Sequence, residues 1–171
     1  CLFIPETYQV YWDMSVEDFF KRMRKEHQRF WNQKRLDQAK AIGMTPEEVC
    51  TLASIVEEET NNNPEKPMVA GLYINRLHAG MPLQADPTVK FALQDFGLRR
   101  ITNEHLTIDS PYNTYRNPGL PPGPIRIPSP VGLDAVLNHA KHNYIYMCAK
   151  EDFSGTHNLS LIHISEPTRP Y

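Results

Sequence analysis

Residues 108–130 contain seven of the chain's fifteen prolines. Neither a helix nor an interior strand persists through that density, because each proline removes a backbone donor and collides with the turn before it. Any core must therefore be assembled from the segments on either side of a long connection. Low complexity would make such a stretch a flexible linker, yet Tyr112-Asn-Thr-Tyr115 and Gly119-Leu-Pro-Pro-Gly-Pro-Ile125 mix aromatic, amide and apolar groups that solvated linkers lack. Long ordered loops of this kind tend to carry function. Aromatic faces beside amide hydrogen-bonders are what carbohydrate recognition requires, and both are present here.

The most informative of the flanking segments is Thr51-Leu-Ala-Ser-Ile-Val-Glu-Glu-Glu-Thr-Asn-Asn-Asn-Pro64. Upstream of it, Thr45-Pro46-Glu47-Glu48 supplies an N-cap, a first-turn proline and acids that complement the helix dipole, so a helix starts at about residue 46. The asparagine run and Pro64 stop it. At roughly 100° per residue, Val49, Leu52, Ala53, Val56 and Thr60 share one face, and Ile55 widens it. Glu58 points away, while Glu57 and Glu59 flank the apolar face on opposite sides. Ile55, one turn before Glu59, makes that flank the more apolar. A carboxyl placed there is half-buried, and burial raises its pKa toward what a general acid needs near neutrality. The competing reading is that three glutamates at a helix end are a solvated face.

With 171 residues the chain is one domain, or one plus a fragment, and large enough for a core. Residues 1–10 suit an extended entry segment around Pro5. Asp13 or Ser15 then caps a helix expected to run through Phe19, Phe20 and Met23 to about residue 41, with Gly43 closing it. A third helix is expected over residues 68–78, with Val69, Leu72, Tyr73 and Leu77 inward and Gly80 as its stop. Asn75 and Arg76, on its later turns, read either as solvated surface or as site residues. Asp86-Pro87-Thr88 reads as a cap opening a short helix through Val89, Phe91, Ala92 and Leu93. The functional alternative makes Asp86 a second catalytic carboxylate, as a hydrolase would need. Gln84, just before it, can face a sugar through its amide or be a plain loop residue. Ser129-Pro130 starts another helix, expected over residues 131–142, and residues 144–149 are the clearest strand. A turn at residues 152–155 and a return strand at 156–159 complete a hairpin.

A net charge of −2 with no basic stripe argues against nucleic acid as a partner. No apolar run approaches the roughly 20 residues of a membrane span, and no stretch reads as a signal peptide. The start at Cys1 reads as that of an excised or truncated segment. Cys1, Cys50 and Cys148 lack metal spacing and read as free thiols, two of them buried. His139 and His142, at i and i+3, could bind a metal only with a third ligand that the nearby sequence does not supply, so no metal site is expected.

The element Glu59-Thr60-x-x-x-Pro64 resembles the Glu-Ser-x-x-x-Pro element of lysozyme-like lytic transglycosylases, in which a helix-terminal glutamate is the sole acid and base. The resemblance extends further. Leu52-Ala-Ser-Ile-Val-Glu-Glu-Glu-Thr60, Val69-Ala-Gly-Leu-Tyr-Ile-Asn-Arg-Leu77, Leu83-Gln-Ala-Asp-Pro-Thr-Val89, Tyr112-Asn-Thr-Tyr115, Gly119-Leu-Pro-Pro-Gly123 and Gly155-Thr-His157 stand in the order seen in the endolytic murein transglycosylase family. Leu2-Phe-Ile-Pro-Glu-Thr-Tyr8 is similar to the segment leading into that family's catalytic domain. The resemblance covers residues 2–159 and implies an α+β fold, with a mainly helical lysozyme-like core, a long proline-rich loop and a small antiparallel hairpin. It implies a bacterial protein anchored in the cytoplasmic membrane with its catalytic part outside, an anchor and a LysM-like region absent from this chain, and no cofactor. Its implied partners are peptidoglycan glycan strands, with cell-wall synthases and division or elongation proteins. Residues 160–171 depart from the family, which continues into a C-terminal helix, and read as a non-native tail beside a catalytic domain at 1–159.

The reaction so implied is non-hydrolytic cleavage of the β-1,4 bond between N-acetylmuramic acid and N-acetylglucosamine, leaving 1,6-anhydro ends. Glu59 is the expected acid and base, with Glu57 in reserve. Gln84, Asn113 and Tyr115 are expected to hold glycan, with Arg76 and His157 as weaker candidates. A lysozyme-like hydrolase using Asp86 and a non-catalytic glycan-binding module are the two alternatives.

Overall fold

The computed structural model describes residues 2–98, 100–151 and 155–162. Its described elements are α1 (Val16–Phe30), α2 (Gln33–Ala41), α3 (Pro46–Glu59), α4 (Lys66–His78), α5 (Asp86–Leu93), a single 3-10 turn at His105–Thr107, α6 (Pro130–Leu137), β1 (Tyr146–Ala149) and β2 (His157–Ser160). This is the expected α+β class, mostly helical with one small antiparallel sheet. Cys1, the tip of the expected turn at residues 152–154, and residues 163–171 of the tail lie outside the described residues.

α3 is the hub, packing against α2, α4, α5 and α6. The sequence makes it so. Thr45 and Glu48 form a reciprocal capping box with Pro46 at the first helical position, which fixes where the helix begins. From Val49 to Val56 every residue is buried, so α3 is wrapped on all sides rather than laid on a surface. Leu52, Ile55, Val56, Val69, Leu72, Tyr73, Leu133 and Val136 form the centre of one continuous core.

Residues 16–41 make two helices, not the single one expected. Asn32 is the reason: its side chain accepts the Arg35 N–H and caps a new helix, while Trp31 turns inward to 6% exposure. Arg35 of α2 then grips Asp134 of α6 with two parallel hydrogen bonds of 2.9 and 3.0 Å. α6 ends at Leu137, one turn short of the expected 142, because the chain must leave to cross α4. Residues 108–129 carry neither helix nor strand, as their prolines dictate, and the segment is fastened along its length. Ile125 N–H donates to Ser54 Oγ at 3.0 Å, and Thr114 is tied to Gln84, Ala85 and Thr88 around the start of α5.

Gly71 of α4 allows the crossing that places the hairpin. A Cβ there would collide with the Ala140 carbonyl and sit 2.8 Å from His142 Nε2. Around this close approach Ala140 N–H donates to Pro67 O, His142 Nε2 bonds Met68 O, and Asn75 Nδ2 donates to the carbonyls of His142 and Tyr144. His139 and His142 therefore point to different tasks, since His139 Nδ1 lies 3.2 Å from the Val136 carbonyl. β1 and β2 pair with Met147 opposite Leu159 and Ala149 opposite His157. Ser160, the first residue of the set-apart tail, pairs with Tyr146. Gly71→Ala is expected to force this crossing apart and destabilise the fold by about 1–3 kcal/mol, read as a lower midpoint in chemical denaturation, whereas Gly43→Ala, where a Cβ meets open space, acts only through its positive φ and costs about 1 kcal/mol.

Candidate active site

Glu59 is the last residue of α3, and α4 lies alongside with Tyr73 facing it. Tyr73 is 1% exposed. A tyrosine buried that deeply must find a partner for its hydroxyl, and the Tyr73 O–H donates to Glu59 Oε1 at 2.6 Å. Burial pushes the Glu59 carboxyl up to about 7, with Asp86 adding to the rise, while the Tyr73 hydrogen bond and the charges of His157 and Lys90 pull the other way. Desolvation thus wins, but the phenol keeps it from winning outright. Tyr73 itself is pushed well up, by its own burial and by the carboxyl it faces.

The cavity in front of Glu59 holds about 200 Å³ and is lined by α4, the entry to α5, Tyr115 and the hairpin. Gln84 stands at its edge with an exposed side chain and a backbone φ of 52°, a left-handed conformation uncommon outside glycine. Its N–H donates to Thr114 O and its Oε1 accepts from Arg76 at 3.2 Å. Arg76 is buried at 7% exposure rather than solvated. Its guanidinium also binds the carbonyls of Pro82, Leu83 and Ile145, so it joins α4 to the loop below and to the hairpin above. Tyr115 O–H donates to Asp86 Oδ1 at 2.5 Å. Burial and this carboxylate both push the Tyr115 phenol upward, so it stays a donor. Asp86 is accordingly not the cap of α5: the cap position belongs to Ala85 and has no side-chain bond. His157 lines the opposite wall, its N–H on Glu65 Oε1 at 2.5 Å and its Nδ1 3.3 Å from Glu65 Oε2.

Two expected site residues are elsewhere. Asn113 is fully buried: its amide donates to the carbonyls of Leu106 and Ile108 and its oxygen accepts the Tyr115 N–H. Every polar atom of that side chain is committed to shaping the loop, so it has none left for a sugar. Glu57, the reserve acid, turns to α6. Its Oε2 accepts the N–H of the capping residue Ser129 at 2.8 Å, and its Oε1 lies 3.6 Å from the buried Lys66 ammonium. Gly132 makes room, since a Cβ there would come within 2.6 Å of that carboxylate. Tyr112 packs its ring on Phe91, 4.7 Å between centroids, and supports the loop from behind.

Sequence reasoning placed Tyr73 in the core without asking what its hydroxyl would bond. The signal was present: an inward tyrosine one helix away from an inward-leaning glutamate. Asp86 as the holder of Tyr115 had no local signal, because the two are 29 positions apart.

The model of the YceG-like family matches residues 1–161. The chain belongs to the YceG-like family. This YceG-like chain is 36% identical over 140 residues to a Bacillus subtilis protein named endolytic murein transglycosylase, covering 82% of the chain and 38% of the relative. It is 35% identical over 114 residues to the Streptococcus pneumoniae D39 protein of the same name, covering 64% and 21%. It thus spans well under half the length of either. A crystal structure of a YceG-like protein from Listeria monocytogenes superposes with a TM-score of 0.75 at 34% identity, over 92% of this chain and 50% of that one.

The raised carboxyl has a consequence for stability. Between about pH 4.5 and about 7 the folded YceG-like chain keeps a proton on Glu59 that the unfolded chain has released, so stability falls as pH rises through that window. Glu59→Gln removes the effect: it is expected to gain up to about 3 kcal/mol over the parent above neutral pH and nothing below about pH 4.5, measured by urea unfolding across that range. Tyr73→Phe deletes the bond that favours the charged form, so the Glu59 titration is expected to move up by about one pH unit, followed by carbon-13 NMR of the carboxyl.

Proposed function

We propose that residues 1–159 are the catalytic domain of a peptidoglycan lytic transglycosylase, as the names of its relatives and the Glu59 cavity together suggest. The observation that carries the reading is a half-buried carboxyl poised at about 7 whose Oε1 accepts a hydrogen bond from Tyr73. With Oε1 accepting from the phenol, Oε2 carries the proton. Glu59 gives that proton to the oxygen linking N-acetylmuramic acid to N-acetylglucosamine as the C1–O bond breaks, and the glucosamine leaves as its 4-hydroxyl. The muramic C6 hydroxyl attacks C1, its proton returns to the Glu59 carboxylate, and a 1,6-anhydro ring closes. No water is consumed and the acid is restored. One group serving both steps works best with its pKa near the working pH.

Tyr115 and Gln84 are the groups placed to hold sugar, the first by a phenol aimed by Asp86, the second by an amide aimed by Arg76. His157 offers a further contact on the hairpin side. Arg76 acts through Gln84 as a positioning residue. Cleavage within strands, a link to glycan-strand termination, action outside the cytoplasmic membrane through an anchored full-length protein, and cooperation with cell-wall synthases and division or elongation proteins complete the proposal. Its product ends separate it from hydrolysis. A hydrolase would use Asp86 to place water or a glycosyl cation, and its products would carry reducing ends. A module that only bound glycan would gain nothing from a carboxyl held near 7.

Glu59→Gln is expected to lower strand cleavage by at least about 100-fold while leaving the fold intact. Digests of purified peptidoglycan by the parent chain should show anhydro ends by mass, one water lighter than reducing ends, and the rate should decline as pH rises through about 7. Retained anhydro products from Glu59→Gln would overturn the assignment.

A further inference from the structure

A second depression, about 550 Å³, opens beside the end of α3 and along α5. It shares its dividing wall with the candidate active site: Glu59 and Asp86 face one cavity, and their neighbours Glu58 and Pro87 line the other. Lys90, one turn further along α5, lines the second cavity and is near enough to Glu59 to influence its titration. The two hollows are therefore neighbours, separated by the end of α3 and the first turn of α5.

The second hollow has a different chemistry from the first. Its apolar surface comes from Ile125, Phe91, Phe96 and Ile127, and the last two are 67% and 55% exposed. Phe96 meets Phe91 edge to face at 6.4 Å. Large apolar side chains left in water beside a cleft mark a place where something binds. Arg126 and Glu58 pair at 2.6 Å with both side chains about half exposed, and Lys90 forms no ion pair among the described residues. One cation is thus in excess, which suits an anionic ligand with small apolar groups more than an uncharged sugar.

Resting on the proposed substrate, we propose that this hollow receives the peptide that hangs from the muramic lactyl group, its carboxylate on Lys90 and its alanine methyls on Phe96 and Ile127. A murein strand lying past Glu59 can carry such a peptide on every second sugar, and the hollow lies just across the dividing wall from the cleavage site. The site would then select strands that still bear peptide over stripped ones.

Binding can be measured apart from turnover. The probes are a muramic-containing disaccharide and the same disaccharide carrying its pentapeptide, titrated by calorimetry into the whole chain with Glu59→Gln to prevent cleavage. The peptide-bearing probe is expected to bind roughly tenfold tighter. Phe96→Ser combined with Ile127→Ser, both at exposed positions, should bring that ratio to about one without changing affinity for the bare disaccharide, and Lys90→Gln should reduce it by several-fold. Equal affinities of the two probes, or a ratio that survives all three changes, would overturn the inference. A loss of affinity for both probes alike would show instead that the hollow takes sugar, and overturns it too. None of these outcomes bears on whether the parent chain leaves anhydro ends, so failure of the peptide site and failure of the transglycosylase reading are distinguishable.

Discussion

A carboxyl taken out of water at the end of one helix, with a phenol from the next donating to it, is the contact on which the rest of this protein depends. Removing a carboxylate from solvent is unfavourable, and the hydrogen bond from Tyr73 recovers only part of that loss. The arrangement persists because α3 and α4 are locked together by the core around them: Leu52, Ile55, Val56, Val69 and Leu72 are all within 1% of full burial. Any loosening of that interface would let water reach Glu59 and return its pKa to the ordinary range. Core packing and acid strength are therefore one property seen from two sides.

The three consecutive glutamates illustrate how rotation along a helix distributes chemistry. Each residue turns about 100° from the last, so Glu57 meets α6 and the buried Lys66, Glu58 meets Arg126 in solvent, and Glu59 meets Tyr73. The first fastens the scaffold and the second contributes little to stability, as exposed pairs usually do. Only the third is both desolvated and open to a cavity. The same division of labour governs the loops: Asn113 shapes the proline-rich segment from inside, and Asn75 clamps the chain that leads to the hairpin. The side chains that remain free to meet a ligand are those these fasteners present.

The start and stop of α3, the Gly80 end of α4, the lack of regular structure through residues 108–129 and the hairpin strands were legible because each follows from local chemistry: a capping box, a terminating glycine, serial prolines, alternating apolar residues. The half-burial of Glu59 was legible too, since Ile55 fixes the character of that flank. The break at Trp31 was less so, because Asn32 can serve as a helix interior residue or as a cap and only the inward turn of Trp31 decides. Asn113 was misassigned for a related reason. An amide between two tyrosines looks like a ligand-binding group in one dimension, but its donors were claimed by carbonyls five and seven residues earlier once the loop folded back. Arg76 was undecidable from pattern alone, because its carbonyl partners come from two separate segments, residues 82–83 and Ile145. Tyr73, Arg76 and Asp86 escaped because their contacts join distant positions.

Gln84 shows what such distant contacts do at the rim of the cavity. A non-glycine residue held at positive φ carries a backbone cost of about 1 kcal/mol, and glycine at this position would relieve it. Glycine would also delete the amide that Arg76 holds at the cavity edge. Since the conformation is maintained by the Thr114 carbonyl on one side and a buried guanidinium on the other, the cost is met by the folded loop and does not fall on any later binding step. Tyr115, aimed by Asp86, is set in the same way. Both groups are ordered by the folded chain, so under the proposed function less side-chain freedom would remain to be lost on binding, and a rigid pair of hydrogen-bonding tips would face a nearly neutral acid in a geometry suited to moving one proton to one oxygen.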